Sequence, residues 1–116
     1  MAYVDGFVLV IQKKNLAAYK RLARMANRVW RQYGALDYKE CAGDDLGTEC
    51  GLPFPKLTKR RKDEIVIFAY IVYTSRAHRD KVNAKVMADP RFQEMPQEMP
   101  FDMKRMSHGG FKVIVG

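Results

Sequence analysis

The sequence predicts an α+β fold built on a four-stranded antiparallel sheet, with its elements in the order β-α-β-β-α-β. Three observations carry that prediction. Ile65-Val66-Ile67-Phe68-Ala69-Tyr70-Ile71-Val72-Tyr73 is an uncharged run, rich in β-branched and aromatic residues and free of Gly and Pro, and it reads as one strand. Both its alternating faces are apolar. A strand covered on one side only would alternate apolar with polar, so this one is central and covered on both. Tyr3 to Ile11 is nearly apolar on both faces as well, and two helical stretches separate the strand signals. That order is the split βαβ arrangement of ferredoxin-like folds, here as one domain over residues 1–116.

The first strand carries Val4, Val8 and Val10 on one face and Tyr3, Asp5, Phe7, Leu9 and Ile11 on the other. Asn15 is placed to cap a helix that runs to Tyr33 and stops at Gly34. At about 100° per residue, Tyr19, Leu22, Ala23, Ala26, Val29, Trp30 and Tyr33 fall on one arc, with Lys20, Arg21, Arg24, Arg28 and Arg31 opposite. Ala35 to Cys41 reads as a second, short strand. Residues 43–63, rich in Gly, Pro and charge, form a long excursion before the central strand. Ser75 caps a second helix that ends near Asp89-Pro90, and its amphipathicity is weak: Val82 and Val86 share a face with Arg79, and Asn83 lies at the edge. Polar groups on that face need partners if they are buried. An irregular stretch over 89–103, with Gln93-Glu94-Met95-Pro96 repeated as Gln97-Glu98-Met99-Pro100, leads to a last strand within Lys104 to Val115.

Two helices cover one face of such a sheet. The other face, carrying Tyr3, Phe7, Leu9, Phe68, Tyr70 and Val72 or the residues opposite them, is left uncovered in one subunit, and an apolar face of that extent signals an interface. The expected cover is a second copy of the chain.

The net charge of +8 is unevenly placed. Residues 13–31 and 56–62 hold twelve of the 21 Lys and Arg and no acid, while the remaining nine are outnumbered by the 13 Asp and Glu. Two basic patches on a mildly acidic body raise a nucleic-acid reading, through Arg21, Arg24, Arg28 and Arg31 on the helix and Arg60 and Arg61 in the excursion. No apolar stretch is long enough to span a bilayer. The N-terminal residues lack a signal-peptide pattern, so a cytoplasmic location with Cys41 and Cys50 as free thiols is expected.

Tyr3-Val4-Asp5-Gly6-Phe7, Gly34-Ala35 with Glu40-Cys41, Gly43-Asp44-Asp45, and Arg79-Asp80 with Asn83 form a pattern that continues through Met87, Asp89-Pro90-Arg91 and Met99-Pro100-Phe101-Asp102. Lys104-Arg105-Met106 and Gly109-Gly110-Phe111 complete it. In these motifs the chain resembles the YbaA-like bacterial family of domains of unknown function, DUF1428. It departs from that pattern at Ala42 and at Ser107-His108. The resemblance implies a ferredoxin-like fold of the dimeric α/β-barrel type and brings no assigned reaction.

His78 and His108 stand thirty residues apart with no carboxylate at a metal-ligand spacing, so no metal is expected. No phosphate loop or nucleophile elbow is present, and no cofactor is expected. Cys41 reads as a buried strand cysteine and His108 as a surface histidine. The polar residues hardest to explain as solvated surface are Asp5, Glu40, Asp102 and Arg105. Asp5 and Tyr70 facing a barrel interior, with Glu40 at its rim, would form a polar floor for a small ligand. The structural alternative pairs Asp5 or Asp102 with Arg105 or Arg79 to pin the 89–105 loop. The first reading is therefore a cytoplasmic homodimer whose barrel cleft binds a small organic molecule. An electrostatic nucleic-acid module ranks second, and an interaction protein without a site third. Whether the chain is an enzyme is left open at this point.

Overall fold

The structure is a computed structural model and describes residues 1–96 and 98–116. Strand β1 (Tyr3–Gln12) leads through a 3₁₀ turn into helix α1 (Leu16–Gln32), followed by β2 (Asp37–Ala42) and the short α2 (Phe54–Leu57). Strand β3 (Glu64–Tyr73), helix α3 (Arg76–Ala88), the short α4 (Pro90–Gln93), a 3₁₀ turn (Met103–Arg105) and β4 (Ser107–Lys112) complete the chain. The strands pair in the order β2-β3-β1-β4, all antiparallel, which is the ferredoxin-like sheet. The two doubly apolar strands, β1 and β3, lie at its centre.

Local chemistry accounts for the element ends. Gly34, at φ 116°, takes the left-handed conformation that ends α1. The Ser75 side chain accepts a hydrogen bond from the His78 backbone N–H and starts α3. Asn15, expected as the α1 cap, makes no side-chain capping bond, because a 3₁₀ turn over Lys13–Asn15 precedes the helix. Gly110 lies opposite Asp5, and a side chain there would collide with the Tyr3 ring.

Both long helices pack on one face of the sheet. Val29 and Ala26 of α1 and Val82 and Val86 of α3 meet Tyr3, Ile71 and Tyr73 in one buried cluster. Leu9, Ile11, Tyr19 and Ile67 form a second. The face expected to be uncovered mixed residues from both sides of the sheet. Tyr3 pairs with Tyr73 and Phe7 with Ala69, so odd-numbered residues of β1 and β3 share the helix side. Tyr3 and Leu9 are therefore buried under the helices, and Phe7 packs against both clusters. The outer face consists of Val4, Val8 and Val10 with Val66, Phe68, Tyr70 and Val72, joined at the β4 edge by Phe111. The 43–63 excursion approaches only one end of that face, where Gly43 donates its N–H to the Val66 carbonyl at 2.8 Å. Val10 and Val66 are buried there, whereas Phe68 is 45% and Phe111 61% exposed.

Arg105 ties three segments together. It meets the buried Glu64 carboxylate at 2.6 and 3.0 Å and donates to the carbonyls of Thr58 and Lys59 at 3.4 and 3.1 Å. Its partner is thus Glu64, not Asp102 or Asp5. Asp102 is exposed and caps the second 3₁₀ turn by accepting from the Lys104 N–H at 2.9 Å. The Arg105 hydrogen bond holds the Glu64 carboxyl below the usual carboxylate range, against the upward push of burial. A carboxyl depressed in the folded state contributes its stability above the ordinary carboxylate range and loses it as pH falls through the folded value. Arg105→Met strands that buried acid and should cost about 3 kcal/mol at neutral pH. Urea denaturation of the variant should also show less loss of stability below about pH 4 than the parent. A change within about half a kcal/mol, typical of plain surface sites, would mean the pair is solvated.

Candidate functional site

Between the sheet and the two long helices lies a cavity of about 400 Å³. Its floor is the helix side of the sheet: Asp5, Phe7 and Leu9 from β1, Ala69 and Ile71 from β3, and Tyr38 and Glu40 from β2. Helix α1 supplies Tyr19, Ala23, Ala26 and Trp30 to one wall, and α3 supplies Arg79, Asn83 and Met87 to the other. The segment between α4 and β4 closes it with Met95, Met99, Phe101, Met103 and Met106, and His108 stands beside Phe7 with the rings stacked at 5.8 Å. A mostly apolar, aromatic hollow with a few convergent polar groups is the usual form of a small-molecule site. A more open hollow of about 490 Å³ lies between the 43–63 excursion and the start of β3. Lys13, Asp44, Lys56 and Arg60 in its lining are exposed, and its buried carboxylate, Glu64, is already held by Arg105.

The polar groups of the cavity gather at two places. Asp5 is 6% exposed and faces Arg79 at 3.3 Å. Burial pushes its carboxyl above the usual range, while Arg79, then Tyr73 and Asn83, pull it back. Asn83 accepts from Trp30 Nε1 at 3.0 Å and from the Tyr73 hydroxyl at 3.3 Å, which orients its amide in the same cluster. Arg79 also donates to the Tyr3 hydroxyl at 3.2 Å and stacks over that ring. Its Nε lies 3.0 Å from Asp80, although that N–H is not directed at any acceptor. The second place is Glu40, whose two oxygens accept from the Tyr19 and Tyr38 hydroxyls at 2.6 and 2.7 Å. Asp5 and Glu40 sit two strands apart in adjacent rows of the sheet, which puts their backbones about 12 Å from each other.

Of the residues singled out from sequence, Asp5 and Glu40 are brought together here. Tyr70 is not: it pairs with Gly6 and Lys39 on the outer face, so the polar floor lies beneath the helices and not within a barrel interior. Asp102 and Arg105 are absent from the lining, because both are used to fix the loop before β4. Cys41, expected to be buried, is exposed on the edge strand β2, and Cys50 is exposed in the excursion. The sequence pattern marks Arg79 as a structural partner and Asn83 only as an edge residue. Their signal is present in the weak amphipathicity of α3, where two polar side chains four residues apart share the core-facing side. Arg21, Arg24, Arg28 and Arg31 are exposed on the solvent side of α1, and Arg60 and Arg61 are exposed in the excursion. Arg31 pairs with Asp37 at 3.4 Å, and Arg60 donates to the Glu64 carbonyl at 3.1 Å. No helix among the described residues is long and apolar enough to cross a membrane.

The fold and the cavity define a ferredoxin-like α+β protein with a covered hollow on the helix side of its sheet. Among the solved structures that share that fold are two. One is a mutant form of SnoaB, a cofactor-independent oxygenase from Streptomyces nogalater, with a TM-score of 0.55 at 14% identity over 99% of this chain and 95% of that one. The other is an uncharacterized NIPSNAP domain protein from Burkholderia xenovorans, with a TM-score of 0.53 at 14% identity over 97% and 94%. In sequence, the chain is 39% identical to the uncharacterized protein YbaA of Escherichia coli (strain K12) over 115 residues, 99% of this chain and 98% of that protein. It has the same identity and coverage with YbaA of Shigella flexneri. Residues 2–103 match the family described as a protein of unknown function (DUF1428), and the chain belongs to that family.

Burial, and for Tyr19 and Tyr38 the Glu40 charge beside them, hold the phenols of Tyr19, Tyr38 and Tyr73 well above their ordinary range. A phenol raised in the folded state keeps a proton that the unfolded chain loses from about pH 10, so stability falls as pH rises beyond that point. In a phenolate absorbance titration, these three of the six tyrosines should ionise only when the chain unfolds. All six ionising together near pH 10 in a chain still folded by circular dichroism would contradict the buried network.

Proposed function

We propose that the chain is a homodimer in which each subunit binds a small organic molecule in the cavity between sheet and helices. The observation that carries this reading is the convergence of Asp5, Arg79, Asn83 and Glu40 on an otherwise apolar, aromatic hollow of about 400 Å³. A packed core has no use for four polar side chains around a void, since each costs free energy unless it is satisfied. A cytoplasmic setting suits the two exposed free thiols.

The outer face supports the dimer reading. Val4, Val8, Tyr70 and Val72 are half-buried and Phe68 and Phe111 exposed, a continuous apolar surface of a kind that soluble monomers rarely leave open. Two sheets stacked through this face about a two-fold axis would form a dimeric α/β barrel. The ligand cavities then lie outside the barrel, one under the helices of each subunit.

Trp30, the one tryptophan of the chain, stands in the cavity wall. Calorimetric titration with naphthalene-bodied compounds of neutral, cationic and anionic type should find at least one that binds once per chain. Ala69→Phe, which fills the cavity from its floor, should abolish that binding while the fold is kept. No binding by any of them, or binding that Ala69→Phe leaves intact, would overturn the site. Light scattering should give the mass of two 13.4 kDa chains, and Phe68→Asp should yield monomer or aggregate. A single-chain mass for the parent protein would refute the dimer.

A further inference from the structure

The carboxylates of this chain differ in what answers their charge. Among the described residues the three buried ones each face an arginine: Asp5 meets Arg79 at 3.3 Å, Glu64 meets Arg105 at 2.6 Å, and Asp89 meets Arg91 at 2.8 Å. Glu40, half-buried on the cavity floor, meets none. Among the described residues no Lys or Arg nitrogen lies within 4.0 Å of it. Its two oxygens are held by neutral donors, the Tyr19 and Tyr38 hydroxyls. A carboxylate offers about four acceptor positions, so half of that capacity is unused. Those tyrosine phenols are pushed up partly by the Glu40 charge itself. A charge drawn out of water without a counter-charge is costly, and hydroxyl donors relieve only part of that cost.

What surrounds Glu40 suits a cation. Trp30 lies 6.0 Å from Tyr38 and Phe101 lies 5.7 Å from Tyr19, ring to ring, so four aromatic side chains gather at this end of the cavity. Aromatic faces attract ammonium groups, most strongly where water is excluded. Nothing nearby favours an anion, because the cavity's Arg79 already faces Asp5 and Asp80. The chain's charge of +8 gives a cation no long-range attraction, so recognition must be local.

We propose that the Glu40 end of the cavity is the site of an organic ammonium group carried on an aromatic or apolar body, Glu40 supplying the counter-charge and the surrounding rings the cation–π faces. This rests on the reading of the cavity as a small-molecule site. Three compounds with one body separate the two claims: 2-(2-naphthyl)ethylamine, 2-(2-naphthyl)ethanol and 2-naphthylacetate, titrated calorimetrically at neutral pH. The amine should bind about tenfold or more tightly than the alcohol, and the acetate should not bind detectably. Glu40→Gln keeps the length of the side chain and an acceptor for the tyrosines. It should bring the amine to the level of the alcohol and leave the alcohol within about threefold of its parent affinity. An amine no tighter than the alcohol, or an amine preference that survives in Glu40→Gln, overturns the cation site and leaves the cavity reading standing. Failure of all three compounds overturns both. Should Glu40→Gln not fold, the ranking on the parent protein decides alone.

Discussion

The pairing of Tyr3 with Tyr73 governs the rest of the molecule. Because β1 and β3 are apolar on both faces, hydrophobicity alone does not say which face of one strand joins which face of the other. Antiparallel register does, and a slip of one residue would exchange the two sides of β1 against β3. With the observed register, Asp5 goes under the helices with Ile71 and Ala69, and Gly6 goes outside with Tyr70. The pairing of Glu40 with Ala69 then brings a second carboxylate to the helix side. The cavity and the proposed dimer face are consequences of the same register, seen from opposite sides of the sheet.

The ion pairs of the chain divide into two kinds of work. Asp89 accepts from Arg91 and from the Tyr33 hydroxyl, and Arg91 reaches Gln32, which anchors the start of the segment after α3 to the end of α1. Arg105 and Glu64 anchor its other end to the start of β3. Between these two fixed points the chain supplies Met95, Met99, Phe101 and Met103 to the cavity. Thioether side chains conform to irregular shapes, so a methionine-rich cover held at both ends suits the proposed ligand site without dictating an outline. In the proposed site, polar selection would fall to the sheet and to α3.

Much of this is legible in the sequence. Element order, the central place of the two apolar strands, the Ser75 cap and the Gly34 stop are all local patterns, and local patterns survive in a single sequence. Asp5 stands out because a carboxylate in an apolar strand demands an explanation; Glu40, in the largely polar β2, carries a weaker signal. What is not legible depends on partners far along the chain. Composition assigns Tyr70 to the same space as Asp5, although side-chain direction across two strands is fixed by register. Arg105 is expected to pair with an acid, yet Glu64 lies 41 residues away, at the edge of a strand that the sequence pattern begins one residue later. Asp102 resembles a buried partner because capping a short 3₁₀ turn leaves little trace in periodicity.

The hollow itself has a sequence origin. The core is divided into two clusters, one around Tyr73, Val29, Val82 and Val86 and one around Leu9, Ile11, Tyr19 and Ile67, and Phe7 packs against both. Both clusters carry bulky side chains, and the first also holds Ala26 and Ala35. The cavity lining includes Ala26 of the first cluster, Ala23, which packs against the second, and Ala69 of β3, where larger residues would reduce the hollow. Unfilled volume in a core costs packing energy, so alanines at these positions weaken the fold as a fold. The same stretch carries the polar side chains that a core would exclude. Small residues and charged ones conflict with stability in the same place, and a site for a bound molecule accounts for both at once.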